Sequence, residues 1–322
     1  MRTQRLSRLN WRLRREQRRA RAQRQRDTGS TTPTSEHRFE HQDEGTTNMA
    51  RAATKVTENT KRKRLVGVAS EKGGVGKSVT ARALINLLRS QGTRVAAYDA
   101  DGGVGGLVRV LGTRGPDGRL SDDQSPVEGV AYYNVRAEGE RNTLLDCIST
   151  GEPLIVHDLA GGSLADLMRI VDGGDGIDGL LAAFEEHGYR VTLLHLVSPE
   201  VGSSASVARW LELAGDRVDH VAIRNTRWGR SEADFPFWHG FTDGKGVQKG
   251  GKTREKLLAL GGVEIDLPSI PAGTFAKVDA DNLPFSSAVS DSSLSITERA
   301  HVSKFVREFS AAIEPARPFL GL

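Results

Sequence analysis

A glycine-rich segment that ends in lysine and serine carries the clearest chemistry in this chain. It reads Ser-Glu-Lys-Gly-Gly-Val-Gly-Lys-Ser over residues 70–78. Glycines let backbone N–H groups converge on phosphate oxygens, because no side chain blocks the approach. A lysine after the last glycine can charge-pair with the β- and γ-phosphates, and a serine hydroxyl can ligate Mg²⁺. The residues expected to bind a nucleotide are Gly73, Gly74, Val75, Gly76, Lys77, Ser78 and Val79.

The flanking residues predict a strand before this segment and a helix after it. Residues 65–69 are an apolar run, and apolar side chains recur with helical spacing from Val79 to Leu88. A helix that begins near Lys77 directs the positive end of its dipole at a bound anion. Strand, glycine loop and helix in this order indicate a phosphate-binding loop.

The loop departs from the usual pattern at its start. The pattern G-x-x-x-x-G-K-[ST] requires glycine at 71, whereas this chain has Glu71 followed by a second lysine, Lys72. Residues 72–78, Lys-Gly-Gly-Val-Gly-Lys-Ser, resemble the deviant Walker A loop of the ParA/MinD family. The resemblance implies an ATPase with ATP and Mg²⁺ as cofactors and Lys72 and Lys77 as catalytic residues. It also implies a homodimer on ATP binding, in which Lys72 reaches the partner's nucleotide. The alternative for Lys72 is a solvated loop lysine.

Carboxylates follow two other predicted strands. Asp99 ends the run at 94–99 and Asp101 follows it, and Asp158 ends the apolar run at 154–158 before Leu-Ala-Gly-Gly. Ligands of open parallel sheets bind at the carboxyl ends of strands. The resemblance implies that Asp101 positions the attacking water and that Ser78, Asp99 and Asp158 are the metal residues. The alternatives are helix caps for Asp99 and Asp101, and a core-edge aspartate without a role for Asp158.

Two further residues match the family's base pocket, and one histidine does not join the site. Asn225 ends a predicted strand where the family places an adenine-contacting asparagine, and Pro271 follows the last strand on the other side of the base. Asn and Pro also close strands for local reasons. His157 alternates to the opposite strand face, which predicts a hydrogen-bonded core histidine rather than a base.

Composition divides the chain into two parts. Residues 1–64 hold 18 Lys and Arg against 7 Asp and Glu, a net charge of +11, whereas residues 65–322 hold 27 against 34, a net charge of −7. We expect a basic, disordered arm and linker over 1–60 and a P-loop ATPase domain over 61–322. The arm is interpreted as a nucleic-acid contact, as a solvated tail, or as an upstream extension ahead of a natural start at Met49.

Chain length, hydrophobic content and cysteine count limit which classes of protein are possible. At 322 residues and 37% hydrophobic content, the chain suits one α/β domain with extensions. The single cysteine, Cys147, argues against disulfides and against an iron–sulfur relative, and suits a reducing cytoplasm. No apolar run approaches the roughly 18–20 residues of a membrane span. A cytoplasmic protein with no membrane contact is therefore predicted.

From residue 61 onward, apolar runs alternate with helical patterns. This alternation predicts a doubly wound, mostly parallel α/β sheet of the ParA/MinD-type P-loop NTPase class. The expected strands are 65–69, 94–99, 130–135, 154–158, 190–197, 220–225 and 263–267. The expected helices are one from about residue 77 and others at 138–149, 164–187, 203–214, 253–260 and 292–314.

Residues 226–251 interrupt this alternation of apolar runs and helical patterns. They hold a group of aromatic residues, Trp228, Phe235, Phe237 and Trp238, followed by a glycine-rich run. A satellite core under a loop is favoured over a partner-docking surface. Together with residues 130–135 and 261–268, this layout resembles the plasmid-stability and conjugal-transfer branch of the family, that is, the StbB- and TraL-like proteins.

The leading functional hypothesis is an ATP-dependent dimerisation switch that partitions or positions plasmid or other DNA cargo. Its partners would be a ParB-like or other stimulating protein and non-specific DNA, the latter through the arm or through Lys304 and Arg307. The alternative is a conjugal-transfer or plasmid-stability accessory protein that binds nucleic acid or protein, with the ATPase secondary. A membrane positioner is disfavoured, because residues 316–322 are too short for a basic amphipathic helix and contain Pro318.

Overall fold

The computed structural model describes residues 62–102 and 106–322. The arm and linker predicted for residues 1–60 lie outside the described residues, as do positions 103–105 of the glycine run. The strands are β1 Lys63–Ala69, β2 Ala96–Asp99, β3 Ala131–Tyr132, β4 Leu154–Asp158, β5 Tyr189–Val197, β6 Asp219–Asn225, β7 Phe241–Thr242, β8 Gln248–Lys249 and β9 Val263–Leu267.

Helices connect these strands in the alternation that the sequence predicts. They are α1 Lys77–Ser90, α2 Gly106–Leu111, α3 Thr143–Asp146, α4 Leu164–Leu167, α5 Asp178–Glu186, α6 Val201–Leu213, α7 Pro236–His239, α8 Lys252–Ala259, α9 Ala272–Ala280, α10 Phe285–Ala288, α11 Ile296–Ala312 and α12 Arg317–Leu320. In the described part of the chain, no helix combines the length and apolar character needed to cross a membrane.

Seven strands form a parallel sheet in the order β3-β2-β4-β1-β5-β6-β9. The chain leaves β1 for one side, inserts β4 next to β1 on its return, and continues with β5, β6 and β9 on the other side. This change of direction puts a ligand crevice outside the carboxyl ends of the central strands. The predicted doubly wound parallel sheet is confirmed.

Two cores cover the two faces of the sheet. Successive residues of a strand face opposite sides, and in β1 Val66 and Val68 join the core that contains α1 and α11. Leu65 and Ala69 join the core on the other face, which contains residues of α5 and α6. Because both faces are covered, the strands read as nearly continuous apolar runs, which is why they could be located from the sequence.

Helix predictions were less accurate than strand predictions. The segment 164–187, which is predicted to be mostly helical, holds two helices: α4 and α5 are separated by residues 168–177, in which Gly173 and Gly174 have positive φ, 62° and 100°. The helix expected over 138–149 is only α3, followed by a 3₁₀ turn at Cys147–Thr150. The closing helix begins later than 292, because Ser295 and Glu298 form a reciprocal capping box that sets its first turn.

The aromatic insertion at 226–251 folds into short turns, α7 and the β7–β8 hairpin. Phe235 and Trp238 are fully buried with Leu257 in a third, smaller core. The Trp238 indole N–H donates to Glu264 Oε1 at 2.7 Å, so its polar edge is also satisfied. The satellite-core prediction is therefore confirmed for these two residues, whereas Trp228 is 45% exposed.

Candidate nucleotide-binding site

The loop between β1 and α1 has the backbone conformation that its glycines allow. Gly74 and Gly76 have φ of 74° and 107°, in the left-handed region. A Cβ on Gly76 would lie 2.7 Å from Asn225 Nδ2, so any side chain there would collide with Asn225. Helix α1 begins at the next residue, Lys77. The chain therefore presents an open backbone loop at a helix N-terminus, which is the arrangement that binds phosphate.

Hydrogen bonds from neighbouring elements hold this loop in place. The Ser70 hydroxyl accepts from Lys72 N at 3.1 Å, and the Ser206 hydroxyl accepts from Glu71 N at 2.9 Å. Asn225 Nδ2 donates to Val75 O at 2.9 Å. These bonds fix the loop backbone against α6 and β6.

Two buried carboxylates lie at adjacent strand ends beside the start of α1. Asp99 ends β2, Asp158 ends β4, and the two are register partners. Both are almost completely buried. Asp99 Oδ2 and Asp158 Oδ1 have no hydrogen-bond partner among the described residues. A buried carboxylate oxygen without a partner is costly, so this pair fits a cation that would satisfy both oxygens.

The titration of the two aspartates supports this reading. Burial raises the pKa of Asp158 to about 7, against a hydrogen bond from Ser78 and the charge of Lys77, while the Asp99 carboxylate raises it further. Burial also raises the pKa of Asp99, and backbone N–H groups, including that of Asp101, oppose the rise. A bound cation would favour the ionised forms of both carboxyls.

The donor set suits Mg²⁺ bound together with a phosphate. Within residues 62–102 and 106–322, no group of three or more His, Cys, Asp or Glu side chains could hold a metal ion. Mg²⁺ in nucleotide sites uses one or two carboxylates, with substrate phosphates and waters as the other ligands. Ser78, Asp99 and Asp158, the predicted metal residues, would supply such a partial set.

The loop after β4 touches the phosphate-binding loop. A Cβ on Gly161 would lie 3.4 Å from Lys77 Nζ and 3.8 Å from Gly73 N. Gly162 has φ of 75°, which also favours glycine. The two glycines that follow Asp158 therefore allow this backbone to approach the lysine that would contact the γ-phosphate.

Lys72, the second lysine of the loop, pairs with Glu200 at the start of α6. The Lys72 and Glu200 side chains are 38% and 50% exposed, respectively. An ion pair at such exposure contributes about 0–1 kcal/mol, because water screens it and two long side chains lose rotamer freedom. The pair therefore does not prevent Lys72 from reaching another anion.

Asp101 lies apart from the buried pair. Its carboxylate is about half exposed and accepts from Arg136 Nη1 at 2.8 Å. Asp99 Oδ1 accepts from the Asp101 backbone N–H at 3.2 Å, so the Asp99 side chain stabilises a local turn over residues 99–101. The structure thus separates the buried Asp99 from the half-exposed Asp101.

A cavity of about 490 Å³ opens beside the loop, within the range of small-molecule sites. Its walls come from the loop, α1, β6, β9, α9 and α11: Gly74, Gly76, Lys77, Ser78, Val79, Asn225, Arg227, Leu267, Pro268, Ser269, Ile270, Ala272, Phe275, Ala276 and Phe305. Asn225 lines the cavity as expected, although its amide already bonds Val75 O and the Arg227 backbone N–H. Pro271 is not in the wall; it immediately precedes α9.

His157 belongs to the core, as its position on the strand predicts. Tyr133 Oη lies 3.1 Å from His157 Nδ1, and Cys147 Sγ lies 3.3 Å from His157 Nε2. Burial lowers the pKa of His157 to about 3, so the imidazole stays neutral. Cys147 is buried and not disulfide-bonded, and burial raises its pKa to about 12.

Sequence reasoning missed three residues near the site. Arg227 and Phe275 line the cavity, but neither belongs to a motif with a fixed spacing. Arg136 bonds Asp101 from the loop after β3. The rule on the carboxyl ends of strands could have found Arg136, because it immediately follows the strand predicted at 130–135.

Comparisons with known proteins agree with this geometry. Residues 66–172, about a third of the chain, match the model of the CobQ/CobB/MinD/ParA nucleotide binding domain family. A comparison with curated proteins gave no match.

Several solved structures are similar at low identity. The septum site-determining protein MinD of Pyrococcus horikoshii OT3, complexed with Mg-ADP, is 17% identical, with 78% of this chain and 98% of that chain covered and a TM-score of 0.42. The MinC:MinD cell division protein complex of Aquifex aeolicus is 16% identical, with 77% and 96% covered and a TM-score of 0.41. The matched residues 66–172 hold the phosphate-binding loop, β2 and β4, and together with the parallel sheet they show a P-loop NTPase fold of the MinD/ParA type.

Proposed function

We propose that this protein is an ATP-hydrolysing switch that dimerises on ATP and partitions or positions plasmid or other DNA cargo. One observation carries the catalytic part of the proposal. Lys77 and Ser78 begin a helix and line a 490 Å³ cavity, and Ser78 also hydrogen-bonds Asp158, which with Asp99 forms a buried carboxylate pair that has an unpartnered oxygen on each member. A purine nucleotide with Mg²⁺ satisfies the loop, the carboxylates and the cavity together.

Each side chain then has one role. Lys77 would bind the β- and γ-phosphates, and Ser78, Asp99 and Asp158 would hold Mg²⁺, whose charge would offset the negative charge on the phosphates. Asp101 is accessible and accepts a hydrogen bond from the attacking water, which orients that water for attack. The apolar wall of Leu267, Ile270 and Phe275 packs against the base.

Changing Lys72 to alanine tests the switch. We expect the variant to bind ATP as a monomer and to lose the ATP-dependent dimer, because the charge that reaches the partner's nucleotide is gone. The Lys72–Glu200 pair is weak, so the free energy of unfolding should change by less than about 1 kcal/mol. Light scattering without nucleotide, with ADP and with ATP·Mg²⁺ measures the oligomeric state.

Lys245→Ala is the matched control, because Lys245 is an exposed lysine in the β7–β8 turn. It should dimerise as the unaltered protein does. If Lys72→Ala still gives the full ATP-dependent dimer, the role assigned to Lys72 is wrong.

A second candidate function is a plasmid-stability or conjugal-transfer accessory protein in which residues 1–64, with their net charge of +11, contact nucleic acid. Phosphate neutralisation by many arginines gives sequence-independent, salt-sensitive binding. Duplex DNA binding near physiological salt, with and without ATP·Mg²⁺, separates the two when the full chain is compared with a variant that lacks residues 1–48. Binding by the short variant only with ATP supports the switch. Binding by the full chain alone, whatever the nucleotide, supports the accessory function.

A further inference from the structure

Arg136 connects two loops that meet at the nucleotide site. Its guanidinium donates from Nη1 to Asp101 Oδ1 at 2.8 Å and from Nη2 to Gly161 O at 2.6 Å. Asp101 follows β2, and Gly161 lies in the loop after the neighbouring strand β4. One planar side chain with two separate donors thus fixes a carboxylate and a carbonyl from different loops, a geometry that arginine provides and lysine does not.

The backbone that carries Arg136 is itself fixed against the Asp101 loop. Gly102 N donates to Tyr133 O at 3.0 Å, and Val135 N donates to Ala100 O at 3.2 Å. The Arg136 backbone N–H donates to the side chain of Asn134 at 3.0 Å. The segment before Arg136 therefore runs alongside residues 100–102, and its position is set by main-chain hydrogen bonds rather than by the ion pair.

The second acceptor of Arg136 lies next to the lysine of the phosphate-binding loop. A Cβ on Gly161 would be 3.4 Å from Lys77 Nζ, so the Gly161 backbone lies beside that lysine. A guanidinium bound to the Gly161 carbonyl holds this backbone relative to Asp101. The distance between the accessible carboxylate and the phosphate-binding lysine therefore depends on Arg136.

Fold stability gives no sufficient reason for this arrangement. The side chains of Arg136 and Asp101 are 47% and 49% exposed, and ion pairs at such exposure contribute little to folding. The contacts join two site loops rather than two core elements. Their effect is on the geometry of the site.

We propose that Arg136 is a positioning residue for ATP hydrolysis that holds the Asp101 carboxylate at a fixed place relative to Lys77 through the Gly161 carbonyl. This inference rests on the proposed ATPase function. Arg136 acts through Asp101 and does not itself need to touch the nucleotide.

Steady-state kinetics of Arg136→Ala test the proposal. We expect kcat to fall about 10-fold to 100-fold, the order of loss that follows a displacement of about 1 Å in a catalytic group. The affinity for ATP should stay within about two-fold, because the phosphate-binding loop and the metal carboxylates are untouched. Arg136→Lys should recover kcat only in part, since one ammonium group cannot bind both acceptors in the guanidinium geometry.

A double-mutant cycle tests whether Arg136 acts through Asp101. Asp101→Ala combined with Arg136→Ala should be no slower than Asp101→Ala alone, because residues that act as a unit are not additive. Arg119→Ala is the matched control: Arg119 is an exposed arginine near Asp117 in another loop, and its removal should leave kcat unchanged.

Hydrogen exchange of the nucleotide-free protein provides a readout that does not need catalysis. Arg136→Ala should speed exchange in peptides covering 100–102 and 159–163, and Arg119→Ala should not. The proposal is overturned if the unaltered protein hydrolyses ATP and Arg136→Ala keeps kcat within two-fold, if ATP affinity falls as much as kcat, or if the double variant is slower in proportion to both changes. If the unaltered protein does not hydrolyse ATP, the proposed function fails, and unchanged exchange would then also overturn the positioning role.

Discussion

Replacing Lys77 with alanine is expected to slow ATP hydrolysis about 10²-fold to 10³-fold, the usual loss when one preorganised charge donor is removed from a transition state. Lys77 is the first residue of α1, and its Nζ lies close to the Gly161 backbone. Its charge also lowers the pKa of Asp158. The variant should therefore bind both the phosphates and Mg²⁺ more weakly.

Folding should not suffer from this change. The only hydrogen bond found for Lys77 Nζ among the described residues is a long one to Lys72 O, at 3.4 Å. Long hydrogen bonds are weak, so the free energy of unfolding without ligand should stay within about 1 kcal/mol of the original. Rates of phosphate release and titrations with a fluorescent ATP analogue measure the two losses, and denaturant unfolding measures stability.

The chain offers a control with the same local sequence. Gly251 and Lys252 also place a lysine after a glycine of positive φ at the start of a helix, α8, and Thr253 follows. Lys252 is exposed and does not line the cavity. Lys252→Ala should leave hydrolysis unchanged. A Lys77→Ala variant that kept its rate within two-fold would contradict the assignment of the phosphate-binding loop.

These two lysines show what a motif can predict and why. Gly-Lys-Thr at 251–253 has the letters of a phosphate-binding loop, but it follows the β7–β8 hairpin instead of a buried parallel strand. Residues 70–78 follow β1 in the middle of the sheet, where the carboxyl ends of strands converge. The position of the apolar run before the glycines, and not the glycines themselves, made the prediction specific.

Three other site residues could be predicted because they also end buried strands. Asp99, Asp158 and Asn225 each end a strand that is covered on both faces and therefore reads as an apolar run. Because the strands are parallel, their last residues could be predicted to lie at the same edge of the sheet. The place of Arg136 at a strand end could have been predicted, but no periodicity or spacing encodes the contacts that its long side chain makes with two loops. The split between α4 and α5 depended on two glycines whose positive φ a helical pattern does not reveal.

Asp158→Asn is expected to stabilise the protein without nucleotide and metal while abolishing most of its activity. Burial raises the pKa of Asp158 from 3.8 to about 7 in the folded protein. Above pH 3.8 the unfolded chain therefore loses this proton, whereas the folded protein keeps it until about pH 7. Folding stability thus decreases across this window by about 1.4 kcal/mol per pH unit and levels off above it.

Asparagine has no carboxyl proton to lose, so the folding stability of the variant should not show this decrease with pH. The difference in free energy of unfolding between Asp158→Asn and the unaltered protein should therefore grow by about 3 kcal/mol between pH 5 and pH 8. Hydrolysis should fall about 10²-fold or more, because the neutral amide cannot neutralise a cation shared with Asp99. Denaturant unfolding at both pH values, without nucleotide or Mg²⁺, and ATPase assays at pH 8 measure the two effects.

Asp123→Asn is the control, since Asp123 is an exposed aspartate in a loop and should change neither quantity. Equal stabilities of Asp158→Asn and the unaltered protein at pH 8 would mean that the buried pair is not strained without its cation. We expect Asp158→Asn to be more stable and less active because the buried carboxylate oxygens at the ends of β2 and β4 have no hydrogen-bond partner among the described residues. Above about pH 7 the buried Asp158 is ionised beside Asp99, and this lowers the free energy of unfolding by an amount that a bound Mg²⁺ would offset.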